Sequence, residues 1–367
     1  MSKKLIISLV VGSLISALTL YFSFRNVPLA QLAAYLKTIN YWWIVPMTAL
    51  VIATFCLRTL RWQLILGDID RIKFWQAFHP LMIGFMINCV LPGRVGELAR
   101  PVLLRQKRGV SVTTGIATVA AERIFDIAAL ILLFAFVFTR VADRPDLVGD
   151  YFGFHLDSEL LKSAAWGMIR LSAAISAFIM LLMISTTRRL LKTSIEKTGG
   201  YLSARIPRFH SKILRITEFM TRIIDNFAAG LSLVRNPLNL IACAGLTLLI
   251  WGLTALIYLV CAKGCPGVEL SYLELTTVMV VICFAIALPS VPGFWGLWEA
   301  AGVFALSIFG VAEKDALGYT LVNHAAQIFP VIAIGFVSAL ITSVNILNLT
   351  LADGGARKRA PTRCEGV

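Results

Sequence analysis

Apolar residues along this chain are gathered into long runs separated by polar or charged segments. A helix needs about 20 residues to cross a hydrocarbon core of about 30 Å. Six runs approach or exceed that length, the fourth only when extended over residues 164–170, and they cover residues 5–24, 41–57, 116–138, 171–184, 238–262 and 319–347. The pattern predicts six full transmembrane helices in an all-α polytopic membrane protein.

Two further apolar runs, residues 74–91 and 273–288, end at a proline–glycine break that a second, shorter helical segment follows. Basic residues flank the first run on both sides, in a loop at residues 58–73 that includes Arg58 and Arg61 and in residues 94–108. Because positive charge marks cytoplasmic segments, both ends of this stretch should face the cytoplasm, which a single crossing does not allow. A re-entrant hairpin enters and leaves the membrane on the same side, so it allows both ends to face the cytoplasm.

The charges of the remaining loops extend this orientation. Residues 140–162 carry more acidic than basic side chains, as external loops do, whereas residues 188–235 are strongly basic and are predicted to be cytoplasmic. With a cytoplasmic N-terminus, the second hairpin enters from outside and the basic residues 357–359 lie inside. We predict a multi-pass protein of a bacterial inner membrane with both termini in the cytoplasm.

The two breaks repeat the same residue types at a constant offset. Pro92, Gly93 and Gly96 recur 200 positions later as Pro292, Gly293 and Gly296. An apolar run leads and another follows each hairpin, and an odd number of crossings separates the two units. We therefore predict units of opposite orientation, an inverted-topology repeat. Broken helices at matching positions of such units mark a transport site near the bilayer midplane. The alternative is that these residues only kink two transmembrane helices.

The predicted organisation has five parts: an N-terminal transmembrane helix with its linker, the first repeat unit, a middle region, the second repeat unit and a disordered cytoplasmic tail. Their boundaries are residues 1–40, 41–138, 139–236, 237–347 and 348–367. The middle region holds the external loop, one transmembrane helix and a basic segment. Apolar residues recur at three- and four-residue steps in residues 190–233, which predicts an amphipathic helix on the anionic cytoplasmic leaflet.

Charged residues after the first break indicate what the site would bind. Arg94, Glu97 and Arg100 follow at three-residue steps, so we expect Glu97 to lie between two guanidinium groups on one helix. Arginine stays charged when partly buried and binds phosphate through two parallel hydrogen bonds. Together with the free N–H groups where a helix restarts, these residues predict an anionic headgroup site. The alternative is an ordinary basic cytoplasmic loop.

Polar residues also interrupt the apolar runs that close the two units. Ionisable groups at membrane depth cost about 2.5–3.5 kcal/mol each on insertion scales, so they usually pair and mark a pathway. The candidates are Glu122, Arg123 and Asp126 in the first unit and Glu299, Asn323, His324 and Gln327 in the second. We expect the carboxylates to balance charge or to accept a cationic group. His324 is either a packing group with its hydrogen bonds satisfied or a residue that handles substrate or protons.

The composition excludes an ordinary soluble enzyme. The chain is 58% hydrophobic and 15% charged, whereas a soluble domain is about half apolar and a quarter charged. Its net charge of +14 would suit nucleic acid or anionic lipid, and the neighbouring apolar runs favour lipid. The sequence contains no phosphate-binding loop, nucleophile elbow or zinc-protease motif. We therefore expect no catalytic residues, no metal and no cofactor.

Three motifs in order, at residues 91–100, 122–126 and 288–299, resemble the transmembrane region of lysylphosphatidylglycerol synthases, a flippase-like family. In bifunctional members of that family, this region carries aminoacylated phosphatidylglycerol between leaflets and a separate soluble domain makes it. The chain ends about 20 residues after its last apolar run. The resemblance therefore implies a stand-alone lipid translocase without the aminoacyltransferase domain.

The function we expect is the movement of a phospholipid or another phosphate-bearing lipid between leaflets. The expected partners are membrane phospholipids, anionic or aminoacylated, and no nucleic acid. A homo-oligomer and a lipid-modifying enzyme stay open as further partners. One alternative function is that of a non-transporting accessory subunit in a lipid- or glycan-modifying pathway, docked through its basic segment. An ion-coupled transporter of small solutes would share the architecture.

Overall fold

A computed structural model describes residues 14, 16–67, 72–91, 95–141, 149–151, 154–156, 163, 166–167, 170, 185–205, 209–230, 237–287 and 292–344. Three of the predicted site residues, Pro92, Gly93 and Arg94, lie outside this part of the chain. So do the predicted span at residues 171–184 and the predicted tail at residues 348–367.

The first unit follows a helical segment at residues 16–24, helix α1 (Leu29–Thr38) and a 3-10 turn (Tyr41–Trp43). It consists of four helices, which are α2 (Ile44–Leu66), α3 (Phe74–Val90), α4 (Gly96–Arg108) and α5 (Val112–Val141). Helices α3 and α4 pack against each other as a helical hairpin. Helix α4 ends at Gly109, whose φ of 72° is a left-handed conformation that commonly terminates helices.

The middle region begins with two short strands in the predicted external loop, β1 (Gly149–Tyr151) and β2 (Phe154–Leu156), which pair antiparallel with Gly149 opposite Leu156. The prediction of one amphipathic helix over residues 190–233 is wrong. Two helices occupy this region, α6 (Ser185–Arg205) and α7 (His210–Gly230), and they pack on each other. Pro207 falls between them in the sequence, and helices usually end before a proline because it lacks an N–H donor.

The second unit repeats the order of the first. Its elements are α8 (Pro237–Gly264), α9 (Tyr272–Ala285), a 3-10 turn (Pro292–Phe294), α10 (Leu297–Ile308) and α11 (Glu313–Thr342). Helices α9 and α10 form its helical hairpin, and α11 corresponds to α5, each 30 residues long.

Three helical segments of the described chain are long and apolar enough to cross a membrane: Tyr41–Leu66, Leu238–Gly264 and Glu313–Thr342. Only 22 to 33% of their most apolar windows is buried inside the protein. Apolar surface of that extent on long helices needs a lipid environment. The fold is therefore that of an α-helical membrane protein.

The two units pack in the same way. Their leading helices, α2 and α8, lie along each other. In each unit the second hairpin helix packs on the closing helix, α4 on α5 and α10 on α11. The first hairpin helix of each unit also packs on the closing helix of the other, α3 on α11 and α9 on α5. Most of the core is one cluster that both units share.

Hydrogen bonds identify the two ends of this bundle. At one, which we call the Asn40 end, the Asn40 N–H donates to the Gly264 carbonyl at 2.9 Å and the Tyr35 hydroxyl to the Pro266 carbonyl at 2.8 Å. The start of α11 joins them, since Tyr319 donates to the Tyr258 carbonyl at 2.9 Å.

At the other, the Trp62 end, the Trp62 indole donates to Thr118 Oγ1 at 3.1 Å, and His79 Nδ1 lies 3.1 Å from Ser338 Oγ. The hairpin of α3 and α4 begins and ends among these residues. The hairpin of α9 and α10 leaves α8 and leads into α11 at the Asn40 end. The two hairpins consequently open at opposite ends of the bundle.

Candidate functional site

Seven charged side chains meet in the interior of the first unit, and we call them the Arg–carboxylate cluster. They come from three helices, α2, α4 and α5, and are Arg58, Arg61, Glu97, Arg100, Glu122, Arg123 and Asp126. Helix packing brings α2 against α5 and α4 against α5, so residues far apart in the sequence become neighbours.

Asp126 is the centre of this cluster. Its Oδ1 accepts a hydrogen bond from Arg61 Nη1 at 2.7 Å, and its Oδ2 lies 3.3 Å from Arg123 Nη2 and 3.8 Å from Arg58 Nη1. The Arg61 side chain is fully buried and also donates to Thr247 Oγ1 of α8 at 2.8 Å. The cluster therefore extends to the second unit.

Arg100 forms a second buried ion pair, with Nη1 2.8 Å from Glu122 Oε2. Its guanidinium stacks over the ring of Trp62, 4.2 Å from the ring centroid, and its stem packs on Gly84. The expectation that Glu97 lies between Arg94 and Arg100 is not met on the Arg100 side. Because α4 packs against α5, Arg100 pairs with Glu122, and Glu97 Oε1 lies 3.9 Å from Arg123 Nη1.

The cluster carries one positive charge in excess, because it holds four guanidinium groups and three carboxylates. Within the described part of the chain, five guanidinium nitrogens of the cluster and two carboxylate oxygens are buried without a hydrogen-bond partner: Nε and Nη2 of Arg61, Nε and Nη2 of Arg100, Nε of Arg123, Oε2 of Glu122 and Oδ2 of Asp126. Buried donors of this kind cost free energy until a partner or water satisfies them. Unused guanidinium donors with surplus positive charge are suited to a phosphate or carboxylate.

The second unit holds a smaller polar group. Nδ1 of His324 lies 2.6 Å from Glu299 Oε1, and its Nε2 lies 2.8 Å from the Gly293 carbonyl. Both side chains are fully buried, and the ring of Trp298 stacks on His324 at 4.4 Å. Gln327 donates to Asn323 Oδ1 at 2.7 Å one turn away on the same helix.

The polar pairs of the two units occupy matching places. Arg100–Glu122 joins α4 to α5, and Glu299–His324 joins α10 to α11. In both, a residue shortly after the hairpin break contacts the closing helix in its first half. The first-unit pair and its neighbours are charged and partly unsatisfied, whereas the second-unit pair has its hydrogen bonds made within the protein.

The breaks require glycine for two separate reasons. In the first hairpin, α3 and α4 approach so closely that a Cβ on Gly96 would overlap the Gly84 carbonyl, while the Gly96 N–H donates to Asn88 Oδ1 at 2.8 Å. In the second, Gly293 has a φ of 71° and Gly296 a φ of 94°, conformations that L-residues with a side chain rarely adopt. A Cβ on Gly293 would lie 3.2 Å from the Cys89 carbonyl, so the second break touches the end of α3.

Arg58 and Arg61 were missed as site residues. We predicted a cytoplasmic loop from residue 58, whereas α2 continues to Leu66 and turns both arginines inward. Their three-residue spacing, in register with the apolar run before them, is the signal that could have identified them. Within the described residues, no group of three His, Cys, Asp or Glu side chains could hold a metal ion.

Comparisons with known proteins agree with the resemblance noted in the sequence. Residues 9–335 match a family described as the lysylphosphatidylglycerol synthase TM region. A UPF0104 membrane protein of Methanocaldococcus jannaschii is 25% identical over 71% of this chain and 96% of its own length. A UPF0104 membrane protein of Methanothermobacter thermautotrophicus is 26% identical over 77% of this chain and 78% of its own.

A third relative is named glycosyltransferase AglD, from Haloferax volcanii. It is 23% identical over 96% of this chain, and the match covers 57% of AglD, so this chain spans little more than half of that protein. No solved structure matches the chain.

Proposed function

Since the chain belongs to the family of lysylphosphatidylglycerol synthase transmembrane regions, we propose that it is a translocase that moves a phosphate-bearing lipid between the leaflets of the inner membrane. The lipid headgroup would cross through the protein interior and its acyl chains would stay in the bilayer. The headgroup phosphate would bind at the Arg–carboxylate cluster.

One observation carries this proposal: the cluster places unused guanidinium donors and one excess positive charge inside a membrane protein. Arginine in a membrane interior is costly and is usually retained for function. The cluster is not sealed, because the side chains of Glu97 and Arg123 are 28% and 32% exposed. An anion could therefore reach the buried donors of Arg61 and Arg100 past these two residues.

We propose the finer topology on the same basis. The hairpin of α3 and α4 would enter from the cytoplasm and that of α9 and α10 from outside, as an inverted repeat within six full spans. Two observations support this arrangement: the hairpins open at opposite ends of the bundle, and basic residues outside the cluster flank the first hairpin at positions 71, 73, 105, 107 and 108. Both termini would then be cytoplasmic, and the Trp62 end would face the cytoplasm.

A second candidate function follows from AglD, which is named for glycosyl transfer and which matches this chain over nearly all of it. Under this alternative, the chain is a non-transporting accessory subunit of a lipid- or glycan-modifying pathway. The basic helices α6 and α7 would dock its partner. The alternative does not require unsatisfied arginine donors in the membrane interior, and for that reason the translocase is the stronger proposal.

Labelling in cells tests the translocase. An amine-reactive reagent that does not cross membranes modifies phosphatidylethanolamine and aminoacylated phosphatidylglycerol only in the outer leaflet. We expect deletion of the gene to lower the modified fraction, and plasmid-borne wild type but not Arg100→Gln to restore it. Lys212→Gln on α7 is the matched control and should restore it fully. If the deletion leaves the modified fraction of these lipids unchanged, the proposal fails for them.

A further inference from the structure

The Glu299–His324 pair differs from every contact of the Arg–carboxylate cluster in one respect: both of its side chains have no exposure at all. Among the described residues, no Lys, Arg or second carboxylate forms an ion pair with either side chain. A charged form of this site would consequently have no counter-ion among the residues that the structure describes.

The hydrogen-bond partners fix how many protons the pair holds. The Gly293 carbonyl can only accept, so Nε2 of His324 carries a proton and donates it. The Gly296 N–H donates to Glu299 Oε2 at 2.7 Å. The remaining contact, Nδ1 to Oε1 at 2.6 Å, is a hydrogen bond only if one further proton lies between the two atoms. The pair is then neutral overall, as imidazole with carboxylic acid or as imidazolium with carboxylate.

Loss of that shared proton would break the contact. Two acceptors would face each other at hydrogen-bond distance, and one negative charge would remain on side chains that are fully buried and that have no counter-ion among the described residues. The pair holds both sides of the second break, Gly293 through its carbonyl and Gly296 through its N–H. The one proton left on the imidazole can serve either the Gly293 carbonyl or Glu299 Oε1, so deprotonation would remove one of the two hydrogen bonds that link His324 of α11 to the second break and to α10.

The described surroundings of the pair are aromatic rings, thiols and phenols. The rings of Trp295 and Trp298 lie 4.3 and 4.4 Å from the His324 ring and exclude water. The surrounding helices carry thiols and phenols, which are neutral near pH 7 in ordinary environments. They are Cys89 on α3, Tyr258 and Cys261 on α8, and Tyr319 on α11.

The second break lies where the two hairpins meet. Gly293 is next to the Cys89 carbonyl at the end of α3, and Gly296 packs on Ser16 in the helical segment of residues 16–24. Movement of the second break would therefore change a contact with the first hairpin, whose α4 carries Glu97 and Arg100.

We infer that Glu299 and His324 form a proton-binding site that couples lipid movement to protons, with one proton released when the second break leaves α11 and rebound when it returns. The inference rests on the proposed translocase function. The equivalent place in the first unit holds Arg100 where the second holds a titratable pair, and arginine does not give up its proton at accessible pH. The two units accordingly have different roles: the first binds the anion and the second exchanges the proton.

Glu299→Gln removes the exchangeable proton and keeps the hydrogen bonds of this site. The amide oxygen can accept from the Gly296 N–H and the amide N–H can donate to Nδ1, so the break stays attached to α11 without a proton to lose. Glu313→Gln is the matched control, because Glu313 is a carboxylate at the Asn40 end, at the first residue of α11.

A fluorescence titration of the purified protein tests the proton site without any transport. The background is Trp75→Phe, since the ring of His79 stacks on Trp75 and would add a transition of its own. We expect a one-proton transition in tryptophan emission as pH rises, present in Glu313→Gln and absent in Glu299→Gln and in the double variant Trp295→Phe, Trp298→Phe. A transition that persists unchanged in Glu299→Gln would overturn the proton site.

Vesicles containing fluorescent phosphatidylglycerol test the coupling. One exchanged proton per lipid predicts that a gradient of one pH unit shifts the steady-state leaflet ratio about tenfold, and that nigericin removes the shift. Glu299→Gln should show no shift, whereas Glu313→Gln should show it in full. A wild-type protein that moves lipid equally with and without the gradient would overturn the coupling. If wild type moves no lipid at any pH, the proposed function fails, and the titration alone decides the proton site.

Discussion

Arg61 and Asp126 are 65 positions apart in the sequence, and Arg61 Nη1 lies 2.7 Å from Asp126 Oδ1. The same nitrogen lies 2.8 Å from Thr247 Oγ1 of the second unit. One buried guanidinium therefore joins three long helices, α2, α5 and α8. The guanidinium that we assign to headgroup binding also connects the two units. Substitutions in the cluster should therefore affect stability as well as transport.

Removal of the Asp126 carboxylate should destabilise the protein more than removal of the Thr247 hydroxyl, although both accept a hydrogen bond from Arg61. Asp126→Leu leaves Arg61 buried without its acceptor, which typically costs about 3–5 kcal/mol. Thr247→Val loses one bond to a charged donor, at a cost of about 1.5–3 kcal/mol. Thermal unfolding of the purified variants in mild detergent measures the order. In an Arg61→Met background, Asp126→Leu should cost far less, and an equal cost in both backgrounds would contradict the buried pair.

Substitutions of Arg100 should separate charge from geometry. Arg100→Lys keeps the charge but lacks the planar guanidinium that stacks on Trp62, so we expect partial lipid movement. Arg100→Ala should abolish it and also lower thermal stability, because the side chain fills the space beside Gly84. Arg105→Ala, exposed one turn later on α4, is the control and should leave transport intact. Full transport by Arg100→Ala would exclude this residue from the headgroup site.

The close contact of the first hairpin should not tolerate a side chain. Gly96→Leu places carbon atoms where the Gly84 carbonyl lies, so α3 and α4 should separate and transport should stop. Gly293→Leu should also stop it, through the left-handed φ of 71° and the contact with Cys89. Gly245→Ala in α8 meets no atom within 4 Å and should be harmless. Transport assays on the three variants test these expectations, and an active Gly96→Leu variant would refute the packing argument.

Single cysteines test the proposed orientation of the first hairpin. In a cysteine-free background, Asp68→Cys and Lys107→Cys should react with an impermeant maleimide only from the cytoplasmic side. Asp150→Cys should react only from outside. The reason is the positive-inside distribution of the basic residues at positions 71, 73, 105, 107 and 108, which lie outside the Arg–carboxylate cluster. Labelling of Lys107→Cys from outside would make the hairpin an ordinary span and would remove the inverted repeat.

Much of the site could be predicted from local signals. The prolines and glycines of the two breaks, Glu122 and Asp126 in an apolar run, and His324 in another are visible without any knowledge of packing. The helical hairpins and the repeated order of elements also follow from the positions of the apolar runs. Each of these features depends on residues that are close together in the sequence.

The partners of these residues could not be predicted in the same way. Glu97 was expected beside Arg100 because they are three residues apart, yet α5 supplies Glu122 to Arg100 and Arg123 to Glu97. Arg58 and Arg61 were placed in a loop because their positive charge is also typical of loops. The choice between a paired and a solvated charge depends on tertiary contacts, which a single sequence does not contain.

Lipid movement by the purified protein tests the translocase most directly, because no partner subunit is present. Vesicles are prepared with fluorescent phosphatidylglycerol in both leaflets, and dithionite then quenches the probe that reaches the outer leaflet. We predict that wild-type vesicles lose nearly all fluorescence, that Arg100→Ala vesicles lose only the outer-leaflet fraction, and that Lys212→Ala and Arg215→Ala on α7 match wild type. Wild-type vesicles that keep the inner-leaflet fluorescence of protein-free vesicles would contradict the account.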